Sequence, residues 1–364
     1  MGIYPYMSSP KKAHCGNPDY LIRVYAPRRP PRSESINVKA IQLNTFGDPA
    51  DVVRLVDVPE LDAPAADEII IAPEASPINN TDLMIITGRY GYLPPLPTIL
   101  GVEGVGRVAA VGRDVKNLKE GDRTLIPVLQ PTWAERIKVR ADWLRPLPDG
   151  DVDQFSMIGI NVATAYLMLT DIVTLKKGDW LIQNGASSPT GRTVIAIAKS
   201  LGLKTVNIVR RPEMVDEIKA LGGDVVLVDG PEASTLVRTE LGKTPINYAL
   251  DMVGDSATMT LMDSMAPGGV LTSYSVASLK PLNVNGLKLI FANQSVRGFW
   301  IMNWLKTASP QQLTEMYGHL ASMVAGGEIS APIAATYTFE QYADALAAAA
   351  TRRSKIIFRP TIAI

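Results

Sequence analysis

Between Gly185 and Gly191 the chain reads Gly-Ala-Ser-Ser-Pro-Thr-Gly, a loop of small residues set between two kinds of periodicity. Residues 181–183 ahead of it are a short apolar run, as in a buried strand. After it Val194, Ile195, Ile197, Ala198 and Leu201 recur at helical spacing, and residues 206–209 give a second β-branched run. Strand, loop, helix and strand in this order make a parallel βαβ unit. Its loop delivers the chain to a helix N-terminus, where unpaired N–H groups and the helix dipole bind an anion, most often a pyrophosphate. The usual Gly-x-Gly-x-x-Gly is incomplete, because Ser187, Ser188, Pro189 and Thr190 fill the space between the glycines. A P-loop is excluded, since five residues separate the glycines and Arg192 stands where a lysine is required. The end of the second strand decides the ligand. NAD would call for an Asp or Glu there, whereas Arg210 and Arg211 offer two guanidinium groups to a ribose 2′-phosphate, so the expected cofactor is NADPH. Solvated loop charges are the competing reading of that pair.

The 364 residues are enough for two domains, each with a core. Lys plus Arg and Asp plus Glu both number 36, so no net field draws the chain to nucleic acid or a membrane surface. No apolar run reaches the ~18 residues of a spanning helix, and no membrane insertion is expected. One cysteine, Cys15, and two histidines, His14 and His319, cannot build the Cys/His sets of a zinc site, so no metal is expected. The lone cysteine suits a reducing compartment, and the expected location is cytoplasmic. Residues 1–36 are basic, proline-rich and without a hydrophobic period, and read as a disordered extension. An Arg-rich, acid-poor leader also suits a mitochondrial transit peptide, although no amphipathic helix is evident, and an upstream-initiated or vector-derived extension explains it as well.

The elements that must position the loop follow from pattern. From Val38 to about residue 139 short strands alternate with Gly, Pro, Asp and Asn turns, which suggests a small twisted β-barrel. Residues 155–175 read as one helix. Beyond Arg211, helices near 213–221, 233–241 and 257–265 alternate with strands near 225–228, 247–250 and 269–274, the pattern of a doubly wound parallel sheet. Further elements are a strand at 296–299, a helix at 310–324, a short helix at 340–350 and a strand at 355–358. A β-rich lobe, then a nucleotide lobe and a short return, leave a cleft for a substrate.

At this point the stretches SPINNTDLMIITGRYGYLPPLP, GVEGVGRV, GINVATAYLML, WLIQNGASSPTG, NIVRRP and RGFWIMNWLK resemble the medium-chain dehydrogenase/reductase superfamily, and within it the zinc-independent 2-enoyl thioester reductases. The resemblance implies an α/β fold with a GroES-like β-barrel lobe (residues 37–160 and 335–364) and a Rossmann lobe with a doubly wound parallel sheet (161–334). It also implies NADPH-dependent reduction of the 2,3 double bond of a trans-2-enoyl thioester carried on CoA or acyl-carrier protein. The tyrosine of the Gly-x-Tyr-Gly loop, Tyr90, would be the acid, a role that suits a phenol protonated at neutral pH. A packing aromatic is its alternative. Asn161 is implied near the nicotinamide, with a helix cap as the other possibility. Ser187, Ser188, Pro189 and Thr190 occupy the pyrophosphate loop, where Pro189 departs from the family pattern by lacking an N–H to donate. Arg210 and Arg211 match the basic tip, one residue shorter than the family's Arg-x-Arg-Pro. Tyr274, Ser275, Val276 and Ala277 would pass under the nicotinamide ribose. Phe299, Trp300 and Ile301 would line the cofactor and acyl channel, and Lys355 would reach the cofactor unless it is a surface lysine. A homodimer joined near residues 296–299 is implied too. A quinone or small-enone reductase of the same superfamily, and a non-catalytic NADPH-binding protein, are the alternatives.

Overall fold

The computed structural model describes residues 37–351 and 354–360, so the expected extension at 1–36 lies outside the described residues. Six strands form a parallel sheet in the spatial order Val225–Val228, Lys204–Val209, Trp180–Gln183, Ile246–Asp251, Val270–Ser273 and Ser295–Gly298. Counted in chain order this is 3-2-1-4-5-6, the doubly wound arrangement in which a nucleotide binds where the order reverses. The inner strands are apolar on both faces because helices cover both: Leu181, Ile182, Val206, Ala249 and Leu271 are all buried. The first crossover helix, Pro189–Ser200, presses close to its strand. A Cβ on Gly191 would lie 2.6 Å from the Gly185 carbonyl oxygen and 2.8 Å from Ala186 Cα, so only glycine admits this contact.

The second body of structure is antiparallel. Its longest strand, Glu68–Ile78, pairs with Gly104–Val111, Ile137–Arg140 and Lys355–Phe358, and Gly104–Val111 continues to Arg123–Ile126. A smaller sheet joins Val53–Pro59, Asn37–Leu43 and Thr98–Ile99, and encloses a core with Trp133, Phe339 and Phe358. Lys355–Phe358 returns to this body after the whole parallel sheet, and Ile333–Tyr337 pairs with it in parallel.

One expectation is corrected, and two elements went unread. The helix expected over 155–175 is three pieces: Val152–Phe155, a π-turn at Ile158–Val162, and Ala163–Thr170. The cause lies far away in sequence, because the Ile160 N–H donates to Glu103 Oε2 at 2.6 Å. The strand Ile333–Tyr337 was not foreseen as a strand. Its alternation of half-buried and exposed residues is short and weak, and pairing with Lys355–Phe358 creates it. The helix Gly286–Phe291 also went unread, since none of its side chains is buried and no apolar face repeats.

Candidate active site

The loop predicted from the glycines is built as an anion cradle. Gly185 takes φ +61°, and Ser188 caps the helix Pro189–Ser200 by accepting from the Gly191 N–H at 3.0 Å. Pro189 sits at the first helical position. Its missing N–H would have had no partner there, so the departure from the family pattern is the ordinary choice for a helix start. The N–H groups of Ser187 and Thr190 have no backbone acceptor among the described residues and stay available to a ligand. Arg192, where a P-loop lysine would stand, turns away and pairs with Glu217 at 2.5 Å. Tyr274 brings its buried hydroxyl close to the Ser188 side chain without completing a hydrogen bond, and burial pushes its pKa up. At the tip of the strand Lys204–Val209, Arg210 is exposed. Arg211 is half-buried, with Glu213 at 3.5 Å and Met214 Sδ at 3.3 Å.

Across the site Tyr90 follows the helix Asn80–Ile86. Trp300 Nε1 donates to Tyr90 Oη at 2.7 Å, with the rings edge to face at 5.8 Å. Burial raises the Tyr90 pKa, and the Trp300 and Thr81 side chains oppose the rise. Because indole is a donor only, this bond occupies an acceptor lone pair of the phenol and leaves its O–H free to point elsewhere. Lys306 Nζ lies 5.4 Å from the Trp300 ring centroid.

Between the loop and Tyr90 lies a buried polar cluster. Glu103 is fully buried, and its Oε1 accepts from Asn79 Nδ2 at 2.7 Å and Asn161 Nδ2 at 2.8 Å. Asn161 Nδ2 also donates to Asn79 Oδ1 at 2.9 Å, and Thr190 Oγ1 donates to Asn161 Oδ1 at 3.3 Å. Lys355 is 7% exposed and donates to Asn79 Oδ1, so it is no surface lysine. Asp82 accepts the Asn79 N–H at 2.8 Å, while its other oxygen has no partner. Burial dominates all three groups. It raises Asp82 to about 8, raises Glu103 and lowers Lys355.

The structure therefore brings Asn161 to Thr190, Tyr90 to Trp300, and Tyr274 to Ser188. Phe299 is half-buried and Ile301 is packed in the core, while Val276 and Ala277 are exposed on the segment after Val270–Ser273. Lys355 joins the polar cluster. Asn79, Asp82 and Glu103 were not singled out from the sequence. A lone acid in the glycine and valine run Gly101–Gly106 was the signal available for Glu103.

Comparison with known proteins bears on this arrangement. Residues 65–149 match the alcohol dehydrogenase GroES-like domain, and residues 189–320 match the zinc-binding dehydrogenase domain. Among the described residues no group of three or more His, Cys, Asp or Glu could hold a metal ion, and no helix is long and apolar enough to cross a membrane. The barrel-type body, the doubly wound sheet and its phosphate loop define the class as a medium-chain dehydrogenase/reductase. The mitochondrial enoyl-[acyl-carrier-protein] reductase of Rattus norvegicus is 36% identical over 324 residues, covering 87% of this chain and 86% of the relative. At that level the chain belongs to the enoyl-[acyl-carrier-protein] reductase family. The Etr1p/NADP/crotonyl-CoA complex superposes with a TM-score of 0.81 at 25% identity, over 89% of this chain and all of the other; Etr1p is a mitochondrial 2-enoyl thioester reductase of Candida tropicalis. A quinone oxidoreductase of Pseudomonas syringae pv. tomato gives 0.77 at 27% identity, with coverage of 89% and 100%. The rat and human enoyl-[acyl-carrier-protein] reductases are named as mitochondrial, and the cytoplasmic expectation finds no support in them.

Proposed function

We propose that this chain is an NADPH-dependent reductase of trans-2-enoyl thioesters, with Tyr90 as proton donor. The observation that carries the reading is the pairing, in a member of this family, of a phosphate loop with free N–H donors and a phenol whose acceptor side is held by an indole. Ser187, Ser188, Thr190 and the helix N-terminus would hold the pyrophosphate, and Arg210, helped by Arg211, the 2′-phosphate. When bound, NADPH supplies a hydride. The chain's own part is to hold a proton at Tyr90 Oη and to keep its O–H directed toward the substrate. Burial keeps that phenol protonated at neutral pH. Trp300 N–H then stabilises the negative charge that grows on the oxygen as the proton leaves.

Purified protein given crotonyl-CoA should oxidise NADPH and much less NADH. No oxidation of either cofactor, with this or a longer 2-enoyl-CoA, would overturn the assignment. Tyr90→Phe should lower kcat by about 10²–10⁴-fold with NADPH affinity little changed; an unaltered rate would remove Tyr90 from the chemistry. The likeness to a quinone oxidoreductase favours a second reading, reduction of quinones or small enones, and 1,4-naphthoquinone at matched concentration separates the two.

The same reading places the protein in mitochondria, where imaging of the full-length chain would find it or not, and takes it as a homodimer. The strand Ser295–Gly298 is an open edge of the parallel sheet, and the neighbouring helix leaves Phe291 82% exposed. A monomer in sedimentation at micromolar concentration would remove the dimer.

A further inference from the structure

The buried carboxylate of Glu103 has no counterpart in the chemistry above, yet it accepts three hydrogen bonds from three separate residues. Its Oε1 takes the amide protons of Asn79 and Asn161, and its Oε2 takes the Ile160 N–H in the π-turn. The turn is seated on it so closely that a Cβ on Gly159 would lie 3.2 Å from Glu103 Cβ and 3.3 Å from its Oε2. Tyr317 Oη holds the other side by donating to the Gly159 carbonyl at 3.0 Å. An amide side chain can present either its oxygen or its nitrogen, and nothing on Asn161 itself decides which. The carboxylate and the Asn79 oxygen decide it, because both are acceptors and both take Asn161 Nδ2. Asn161 Oδ1 is thereby turned toward Thr190, the second residue of the phosphate-loop helix.

We propose that Glu103 is a positioning residue: it locks Asn161 with its carbonyl oxygen toward the cofactor loop, making a fixed hydrogen-bond acceptor for the donor-bearing nicotinamide riboside half of NADPH. The carboxamide NH₂ and the ribose hydroxyls of that half are donors, and an acceptor matches them. This rests on the NADPH reading. Glu103→Gln keeps the shape but must turn an NH₂ toward one of the donors that now converge on the carboxylate, so Asn161 is free to flip. The adenosine half, held by the loop and the arginine tip, is untouched.

The test compares two ligands on the full chain by calorimetry, NADPH and adenosine 2′,5′-bisphosphate, which lacks the nicotinamide riboside. Wild type should bind both; failure to bind either defeats the NADPH reading rather than this inference. Glu103→Gln should weaken NADPH about ten-fold, the worth of one hydrogen bond, and leave the bisphosphate unchanged. Combining Glu103→Gln with Asn79→Asp moves the carboxylate one partner along. There it can accept from the newly introduced amide and from Asn161 and still face Lys355, so the double variant should regain NADPH affinity. Equal weakening of both ligands, or no change in either, overturns the proposal. Should Glu103→Gln not fold, Asn161→Ala carries the same comparison, since it removes the acceptor and leaves Glu103 with its Asn79 and Ile160 donors.

Discussion

The loop from Gly185 to Gly191 and the cluster around Glu103 lie on either side of Asn161, and they handle polarity differently. The loop presents backbone N–H groups and hydroxyls near the surface, its helix capped from three residues away. The cluster buries two carboxyl groups and an ammonium from three separate stretches of chain, with Asn79 standing between the Lys355 ammonium and the Glu103 carboxylate. Partial charges on a loop cost little to hold in place, whereas buried full charges are tolerated only while each keeps its partner. The loop should therefore answer to mutation locally and modestly, and the cluster as a unit.

Removing Lys355 probes the unit hardest. Lys355→Met should cost about 3–5 kcal/mol in urea unfolding, because it strands a buried carboxylate; a loss below about 1 kcal/mol would show that the cluster does not depend on its cation. The pH dependence comes next. Asp82 has its carboxyl raised to about 8 by burial, far above the value of ~3.9 in an unfolded chain, so the native state holds a proton that the unfolded state releases. That makes stability fall as pH rises from about 4 through about 8. Asp82→Asn should abolish this slope and gain on the order of 1–2 kcal/mol over wild type between about pH 6 and 9. An offset equal at both ends of that range would mean the carboxyl titrates normally. The smallest effect belongs to the loop: Ser188→Ala should cost about 1 kcal/mol of stability, the loss of one cap. A much larger cost would erase the contrast between the two regions.

What the sequence made legible divides along the same line. The loop, its helix and the strands around it could be read because small residues, periodic apolar positions and a basic tip lie within about thirty consecutive residues. The parallel sheet followed from the same alternation. The cluster could not be assembled this way: Asn79 and Lys355 are 276 positions apart, and each alone looks like a helix cap or a surface lysine. The π-turn was hidden for a related reason. Gly159 to Tyr166 carries apolar residues at helical spacing, and only a carboxylate 57 residues upstream reveals why the helix gives up a backbone bond there. Tyr90 and Trp300 show a third case, where a family resemblance named both residues but only the fold shows that one donates to the other.

The strand Lys355–Phe358 zips onto Glu68–Ile78, yet leaves the ribosome only after every strand of the parallel sheet. A growing chain thus carries Glu103 without the nearby Lys355 ammonium throughout synthesis of the nucleotide lobe. Asn79 can complete its bond to the ammonium only once Lys355 has been made, so the last partner of the buried cluster is supplied after the whole parallel sheet.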